Sequence, residues 1–230
     1  MSDLTICHSP FQWKALDPEH LRASACAVID VIRATSTIVT ALAHGAGVQA
    51  VANLDDAFAL KAKYPAVVLA GERGGQAQPG FDLGNSPEDF TSARVQGRRV
   101  VLTTTNGTQA LAACRGARSV IAASFLNLDA AAARLRELGP PWIIVCAGCN
   151  GEFGVDDAMV AGALAEALEQ DNPFVWLYRS VRHEITETLL ACSAGQELNR
   201  VGLQKDVPFC AQLNVFSMVP TLGADGVLRG

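Results

Sequence analysis

Along the chain, short apolar runs rich in β-branched residues alternate with longer stretches whose apolar positions recur every three or four residues. Residues 4–7, 27–32, 48–52, 66–70, 99–102 and 142–146 form the first class and predict strands, the most apolar of them buried on both faces of a sheet. Residues 36–43, 53–63, 109–114, 127–138 and 157–168 form the second and predict helices. Gly45 and Gly47 stop the first helix, Asn53 starts the second, Asn127 or Asp129 caps the fourth, and Gly139-Pro140-Pro141 closes it. This βαβ rhythm predicts a layered α/β/α sandwich around a largely parallel or mixed sheet. The last third is less regular: 174–177 predicts a short strand, 193–202 the end of a helix and its turn, and 206–219 a final apolar segment. No linker divides the chain, so residues 1–230 are expected to form one α/β domain, with two small lobes as the alternative.

One stretch dominates the pattern. Residues 27–42, AVIDVIRATSTIVTAL, set an acid, an arginine and four hydroxyls between two apolar runs. A carboxylate in a buried strand is costly unless a cation, a metal or several N–H donors meet it, which singles out Asp30. Arg33, Thr35 and Ser36 fall where the chain leaves the sheet for a helix, a place suited to an anion. The plainer alternative is that Asp30 or Thr35 caps the helix and Arg33 pairs with Asp30. A second hydroxyl-rich turn, TTTNGT at 103–108, follows the strand at 99–102, and GAGVQAVA (45–52) is echoed by GARSVIAA (116–123). Both follow strand, Thr-rich turn, short helix and Gly-Ala, which suggests an internal βα repeat. Residues 71–95, with GERGGQAQPGFDLGNSPEDF, break the rhythm as a long Gly/Pro-rich loop that is expected to be functional or mobile.

Four turns at strand ends therefore hold most of the reactive side chains: Asp30 to Thr37, Gly71 to Gly75, Thr103 to Thr108, and Cys146 to Asp157. In open α/β sheets such turns line one crevice. They pool carboxylates (Asp30, Glu72, Asp156, Asp157, with Asp82 nearby), arginines (Arg33, Arg73), hydroxyls and glycines. Carboxylates suit a hard divalent ion such as magnesium, and arginines and hydroxyls suit phosphoryl oxygens. Each acid also has an ordinary reading: Asp156 and Asp157 sit where helix caps and first-turn acids belong, and Glu72 beside Arg73 is a surface pair.

The totals narrow the classes. A formal charge of −5 with 18% charged residues and no basic run argues against nucleic acid, and anionic small molecules would need a local positive site. The N-terminal residues lack a signal pattern and no stretch approaches a membrane span, so a cytoplasmic protein without membrane contact is expected. Seven cysteines fit reduced thiols, and Cys146-Ala-Gly-Cys149 is a lone CxxC better explained by packing than by zinc or redox chemistry. No GxxxxGK[ST] or GxGxxG occurs, no cysteine precedes an arginine at phosphatase-loop spacing, and Asp30 lacks the second aspartate of a DxD nucleophile. The four histidines are scattered and receive no role.

Six ordered motifs carry a family resemblance: DVIRATSTI (30–38), GERGG (71–75), GFDLGNSP (80–87), TTTNGT (103–108), SFLN (124–127) and CAGCNGEFGVDDAMVAG (146–162), with DVPFCAQLNVFSMVP (206–220) at the end. Together they closely resemble the 2-phosphosulfolactate phosphatase family over nearly the whole chain. The resemblance implies an α/β, magnesium-dependent phosphatase of coenzyme M biosynthesis that hydrolyses (2R)-2-phospho-3-sulfolactate to 3-sulfolactate and phosphate. One departure is visible: Gly154-Val155-Asp156-Asp157 stands where Ser-x-Glu-Asp is expected, so one acid is shorter by a methylene.

The reading that follows is a magnesium-assisted phosphomonoester hydrolase. Its substrate would carry about four negative charges near neutral pH. Asp30, Glu72, Asp156 and Asp157 are the expected magnesium ligands, with Asp30 and Asp157 as the catalytic acid/base groups. Arg33 and Arg73 are expected to clamp anionic groups, and Thr35, Ser36, Thr105, Asn106, Gly107 and Thr108 to supply neutral donors. Asn85 and Ser86, on the long loop, are expected to close over the ligand. The alternatives are a phosphatase of another small acidic phosphoester and a noncatalytic binder of anionic metabolites. Apolar content and small-residue helices are compatible with a homodimer.

Overall fold

A computed structural model describes residues 3–230. Its ten strands form one sheet: β1 (Leu4–Cys7), β2 (Ala25–Ile29), β3 (Gly47–Ala50), β4 (Val68–Arg73), β5 (Gln76–Ala77), β6 (Arg99–Thr103), β7 (Ser119–Ala123), β8 (Trp142–Cys146), β9 (Thr221–Leu222) and β10 (Val227–Arg229). The order across the sheet is β1-β8-β2-β7-β9-β10-β3-β6-β4-β5. β1, β8, β2 and β7 run parallel, as do β3, β6 and β4. The C-terminal β9–β10 hairpin joins these two parallel halves through antiparallel pairings to β7 and β3.

Strand alternation builds the layers. In β2, Cys26 and Val28 share one apolar cluster with Ile38 and Leu42 of helix Ala34–Ala43 and Leu111 of helix Gly107–Ala113. Ala25, Ala27 and Ile29, one residue out of phase, point to the other cluster with Leu135 of helix Leu128–Leu138 and Leu164 of helix Val155–Ala167. Burial on both faces is why β2 reads as an unbroken apolar run. The strand is shorter than its sequence pattern: it ends at Ile29, and Asp30-Val31-Ile32 already belong to the turn.

The crossovers are reciprocal. Helix Ala34–Ala43 leaves β2 and leads to β3 in the other half, while helix Gly107–Ala113 leaves β6 and returns to β7 in the first. The two turns share a hydrogen-bond plan. Thr35 Oγ1 accepts the Asp30 N–H at 3.0 Å and donates to the Asp30 carbonyl at 2.9 Å; Thr108 Oγ1 accepts the Thr104 N–H at 3.1 Å and donates to the Thr104 carbonyl at 3.0 Å. The acceptors on the helix starts correspond as well: Asp30 Oδ1 takes the Ala34 N–H, and Thr104 Oγ1 the Thr108 N–H.

The antiparallel hairpin reverses strand direction between the halves. Five strand-to-strand steps separate β2 from β6, and at roughly 20–25° of twist per step they rotate the strands by roughly 100–125°. The C-terminal ends of β2 and β6 meet in the fold, where Gly107 lies against Asp30.

Two expectations are corrected. Residues 174–177 lie within a helix, Pro173–Val181, not a strand; Asn172 accepts the N–H groups of Phe174 and Val175, and Pro173 occupies the first turn, where its missing N–H costs nothing. The 71–95 segment, expected as one long loop, holds the end of β4, strand β5 and two short helical turns, and part of it lines the cavity described below. After the β4–β5 hairpin it returns along β4, where Gly71 donates to the Gly84 carbonyl at 3.1 Å, and it buries Asn85 and Ser86. Among the described residues no helix is long and apolar enough to cross a membrane.

Candidate active site

A cavity of about 80 Å³ lies where the ends of β2, β4, β6 and β8 converge. Asp30, Arg33, Glu72, Asn85, Thr105, Asn106 and Asp156 lie on its wall, with Glu197 of helix Ser193–Arg200 on the far side.

Asp30 is caught between two helix starts. Its carboxylate accepts the Ala34 N–H at 3.0 Å and the backbone N–H of Gly107. Gly107 must be glycine here, because a Cβ would lie 2.5 Å from Asp30 Oδ2 and 2.6 Å from the Ala34 Cβ. Burial pushes the Asp30 pKa up to about 7; the N–H donors pull it down, and the charges of Asp156 and Glu72 push it further up.

Helix Val155–Ala167 begins with two acids that grip the same turn. Asp157 accepts the Val31 N–H and the Gly148 N–H, each at 2.9 Å. Asp156 accepts the N–H groups of Asp157 and Ile32. These are positions where a helix favours negative charge, in keeping with the ordinary reading of both acids as first-turn residues. Burial raises Asp156 to about 6 and carries Asp157 well above the usual carboxylate range, with the charges of Asp156 and Asp30 adding to the latter. Asp157 is 2% exposed and does not reach the cavity wall; it fixes the turn that carries Asp30.

Glu72 ties β4 to the β6 turn. Its oxygens accept the Thr105 N–H and the Gly75 N–H, each at 2.8 Å, and Thr105 Oγ1 at 3.4 Å. Gly71 permits this approach: its φ is 138° and a Cβ would sit 1.9 Å from the Thr103 carbonyl oxygen.

The arginines behave differently from one another. Arg33 is 3% exposed and pairs with Asp206, not with Asp30, donating from Nη1 at 2.6 Å; it also donates to Ser86 Oγ at 3.3 Å and to the Gly75 carbonyl at 2.7 Å. Arg73 turns from the cavity, donating to the Glu72 carbonyl at 2.6 Å and Thr103 Oγ1 at 2.9 Å, so it braces Glu72. The neutral donors divide likewise. Thr105 and Asn106 stand on the wall, whereas the hydroxyls of Thr35, Ser36 and Thr108 are spent on turn carbonyls of Asp30, Val31 and Thr104. Gly107 contributes its backbone N–H to Asp30.

Asn85 and Ser86 do not form a cover. Thr37 Oγ1 holds the Asn85 carbonyl at 2.9 Å, leaving the buried Asn85 side chain on the wall, and Ser86 Oγ donates to Asp206 at 2.7 Å. Asp82 lies apart, accepting Lys61 at 3.0 Å and the Leu69 N–H at 2.8 Å. Cys146 is buried with its pKa well above the ordinary thiol value; burial, then the Asp156 charge, pushes Cys149 up to about 11, so neither is a thiolate near neutral pH.

The donor set bears on a metal. Among the described residues no three His, Cys, Asp or Glu side chains cage an ion by themselves. Magnesium asks for less: one or two carboxylates, waters and substrate phosphate oxygens. Asp30 and Asp156 on the wall supply that number, and four wall carboxylates face one guanidinium already paired with Asp206.

Asp206 and Glu197 are the residues that sequence reasoning passed over. Asp206 opens the DVPFCAQ segment, but its partner lies 173 residues away and no local pattern links them.

A family model described as 2-phosphosulpholactate phosphatase matches residues 12–225. A probable 2-phosphosulfolactate phosphatase of Thermotoga petrophila is 42% identical over 202 residues, covering 85% of this chain and 87% of its own. Proteins of the same description from Parasynechococcus marenigrum and Gloeobacter violaceus are each 40% identical, covering 92% and 98% of this chain and 94% and 97% of their own. The chain belongs to the 2-phosphosulfolactate phosphatase family, a family of phosphoric monoester hydrolases.

Proposed function

We propose that the protein is a magnesium-dependent phosphatase that hydrolyses (2R)-2-phospho-3-sulfolactate to 3-sulfolactate and phosphate, a cytoplasmic step of coenzyme M biosynthesis. The observation that carries this reading is the meeting of Asp30, Glu72 and Asp156 on one small cavity beside Arg33. Such a wall repels a polyanion unless cations or protons offset it.

Asp30 and Asp156 would hold magnesium, which when bound offsets phosphoryl charge and lowers the pKa of an attacking water. The remaining work falls to the chain. Asp30, on the cavity wall, accepts a proton from the attacking water. Asp157 holds the Val31 and Gly148 N–H groups and so fixes Asp30. Arg33 meets an anionic group of the substrate, and Thr105 and Asn106 line the same cavity beside Glu72.

The test is phosphate release from racemic 2-phosphosulfolactate with magnesium or with EDTA, beside phospholactate and phosphoglycerate. Magnesium-dependent release strongest with the sulfonate supports the proposal. Release mainly from a control keeps the chemistry and moves the substrate to another small acidic phosphoester; binding without release favours a noncatalytic binder.

A further inference from the structure

The Arg33–Asp206 pair is costly to bury. Asp206 is fully buried, and its Oδ2 alone receives the Arg33 Nη1 at 2.6 Å and the Ser86 Oγ at 2.7 Å, while Oδ1 has no partner among the described residues. An isolated pair of this kind stabilises a fold no better than apolar side chains of the same size, because desolvation offsets the attraction. Its value must be sought in what it does to Arg33.

Three segments distant in sequence fix the guanidinium. Asp206 and Ser86 take hydrogen bonds from Nη1, and the Gly75 carbonyl takes one from Nη2. Of the five N–H donors of an arginine, the Nε–H and one Nη2–H remain without an acceptor among the described residues, on a side chain that lines the cavity. Asp206 itself is not on the wall. The carboxylate thus sits behind the guanidinium, holding one part of the planar fork so that the rest faces the cavity. A fixed fork recognises phosphate, sulfonate or carboxylate oxygens with little further loss of freedom.

We propose that Asp206 is a positioning residue that, with Ser86, aims Arg33 at an anionic group of the substrate. The proposal rests on the reading above that Arg33 meets that group.

The test compares Asp206→Asn, Arg33→Met and the double variant Arg33→Met/Asp206→Asn, with folding checked by circular dichroism. KM and kcat are read on 2-phosphosulfolactate, and binding of inorganic phosphate is read by calorimetry as a measure independent of turnover. Asp206→Asn is expected to raise KM and the phosphate Kd by about tenfold or more with a smaller change in kcat, and the double variant to match Arg33→Met within about threefold, since both remove one unit. A folded Asp206→Asn protein with unchanged KM and phosphate Kd overturns the proposal, as do losses that multiply in the double variant. Should Asp206→Asn fail to fold, Ser86→Ala, which keeps the ion pair and removes the second group that holds Nη1, is read instead: a raised phosphate Kd with Arg33 present supports the proposal, and an unchanged Kd overturns it. If the original protein releases no phosphate from 2-phosphosulfolactate, the substrate reading fails, and the calorimetric comparison alone decides for or against Asp206.

Discussion

Gly107 stands so close to Asp30 that a single added methyl group would lie 2.5 Å from the carboxylate oxygen Oδ2. The contact joins the ends of β2 and β6 and brings the starts of the two crossover helices onto one acid.

Gly107→Ala is therefore expected to disturb the site before it disturbs the fold. Overpacking of this kind costs about 1–3 kcal/mol, which for a chain of this size lowers Tm by several degrees at about 2–4 °C per kcal/mol. Phosphate release should fall more steeply than stability, because the displaced atom is the Asp30 carboxylate. A variant with original kcat would remove this contact from the catalytic geometry; thermal unfolding and initial rates check it.

Asp30→Asn keeps the size of the side chain and removes its charge. An amide can still accept the Ala34 N–H, but its NH₂ group would face the Gly107 N–H. Loss of a general base typically costs about 10²–10⁴-fold in rate, and that range is expected in kcat at pH 7.5. The protein should remain folded, since the substitution removes a desolvated charge. Single-turnover rates measure the loss.

Stability should fall as pH rises. Asp30 and Asp156 titrate in the folded protein at about 7 and about 6, above the usual 3.8, so between roughly pH 4 and pH 7 the folded chain holds protons that the unfolded chain has released. Stability from these groups is fully present below the unfolded pKa and is lost as pH climbs through the folded values. The loss is on the order of a few kcal/mol. Metal binding displaces those protons, so magnesium should flatten the Tm profile between pH 5 and pH 8. Scanning fluorimetry with EDTA and with magnesium would show two curves converging at low pH; parallel curves would argue against a metal on these acids.

Arg33 and Arg73 should respond unequally to alanine. Arg33→Ala leaves Asp206 buried without its counter-charge, which costs about 3–5 kcal/mol. Arg73→Ala removes hydrogen bonds to the Glu72 carbonyl and to Thr103, each worth about 0.5–1.5 kcal/mol. Urea midpoints should separate the two variants, and kcat/KM should fall at least about tenfold further for Arg33→Ala.

The layered fold, the positions of most parallel strands and three of the four acids on the cavity wall, all but Glu197, were legible because each is written locally. A buried run such as 142–146, or an acid in an apolar strand such as Asp30, states its problem within a few residues. The β9–β10 hairpin was not legible, since strands of two and three residues carry no period. Nor was the division between hydroxyls that close turns, as Thr35 and Thr108 do, and those that face the cavity, because it depends on one backbone contact each. Arg33 lies on the cavity wall, but the alternative that pairs it with Asp30 does not hold: Asp30 is three residues away in sequence, and the aspartate that holds its charge comes from the other end of the chain.

The reciprocal crossovers also decide how this molecule can breathe. Two helices pass between the halves in opposite senses and a C-terminal hairpin stitches their edges, so no single strap of backbone serves as a hinge. Opening the halves against each other would strain both crossovers and the hairpin together. Strain is shared least where the 148–152 turn borders the cavity, tied to helix Ser193–Arg200 among the described residues by the Asn150–Glu197 hydrogen bond of 3.0 Å.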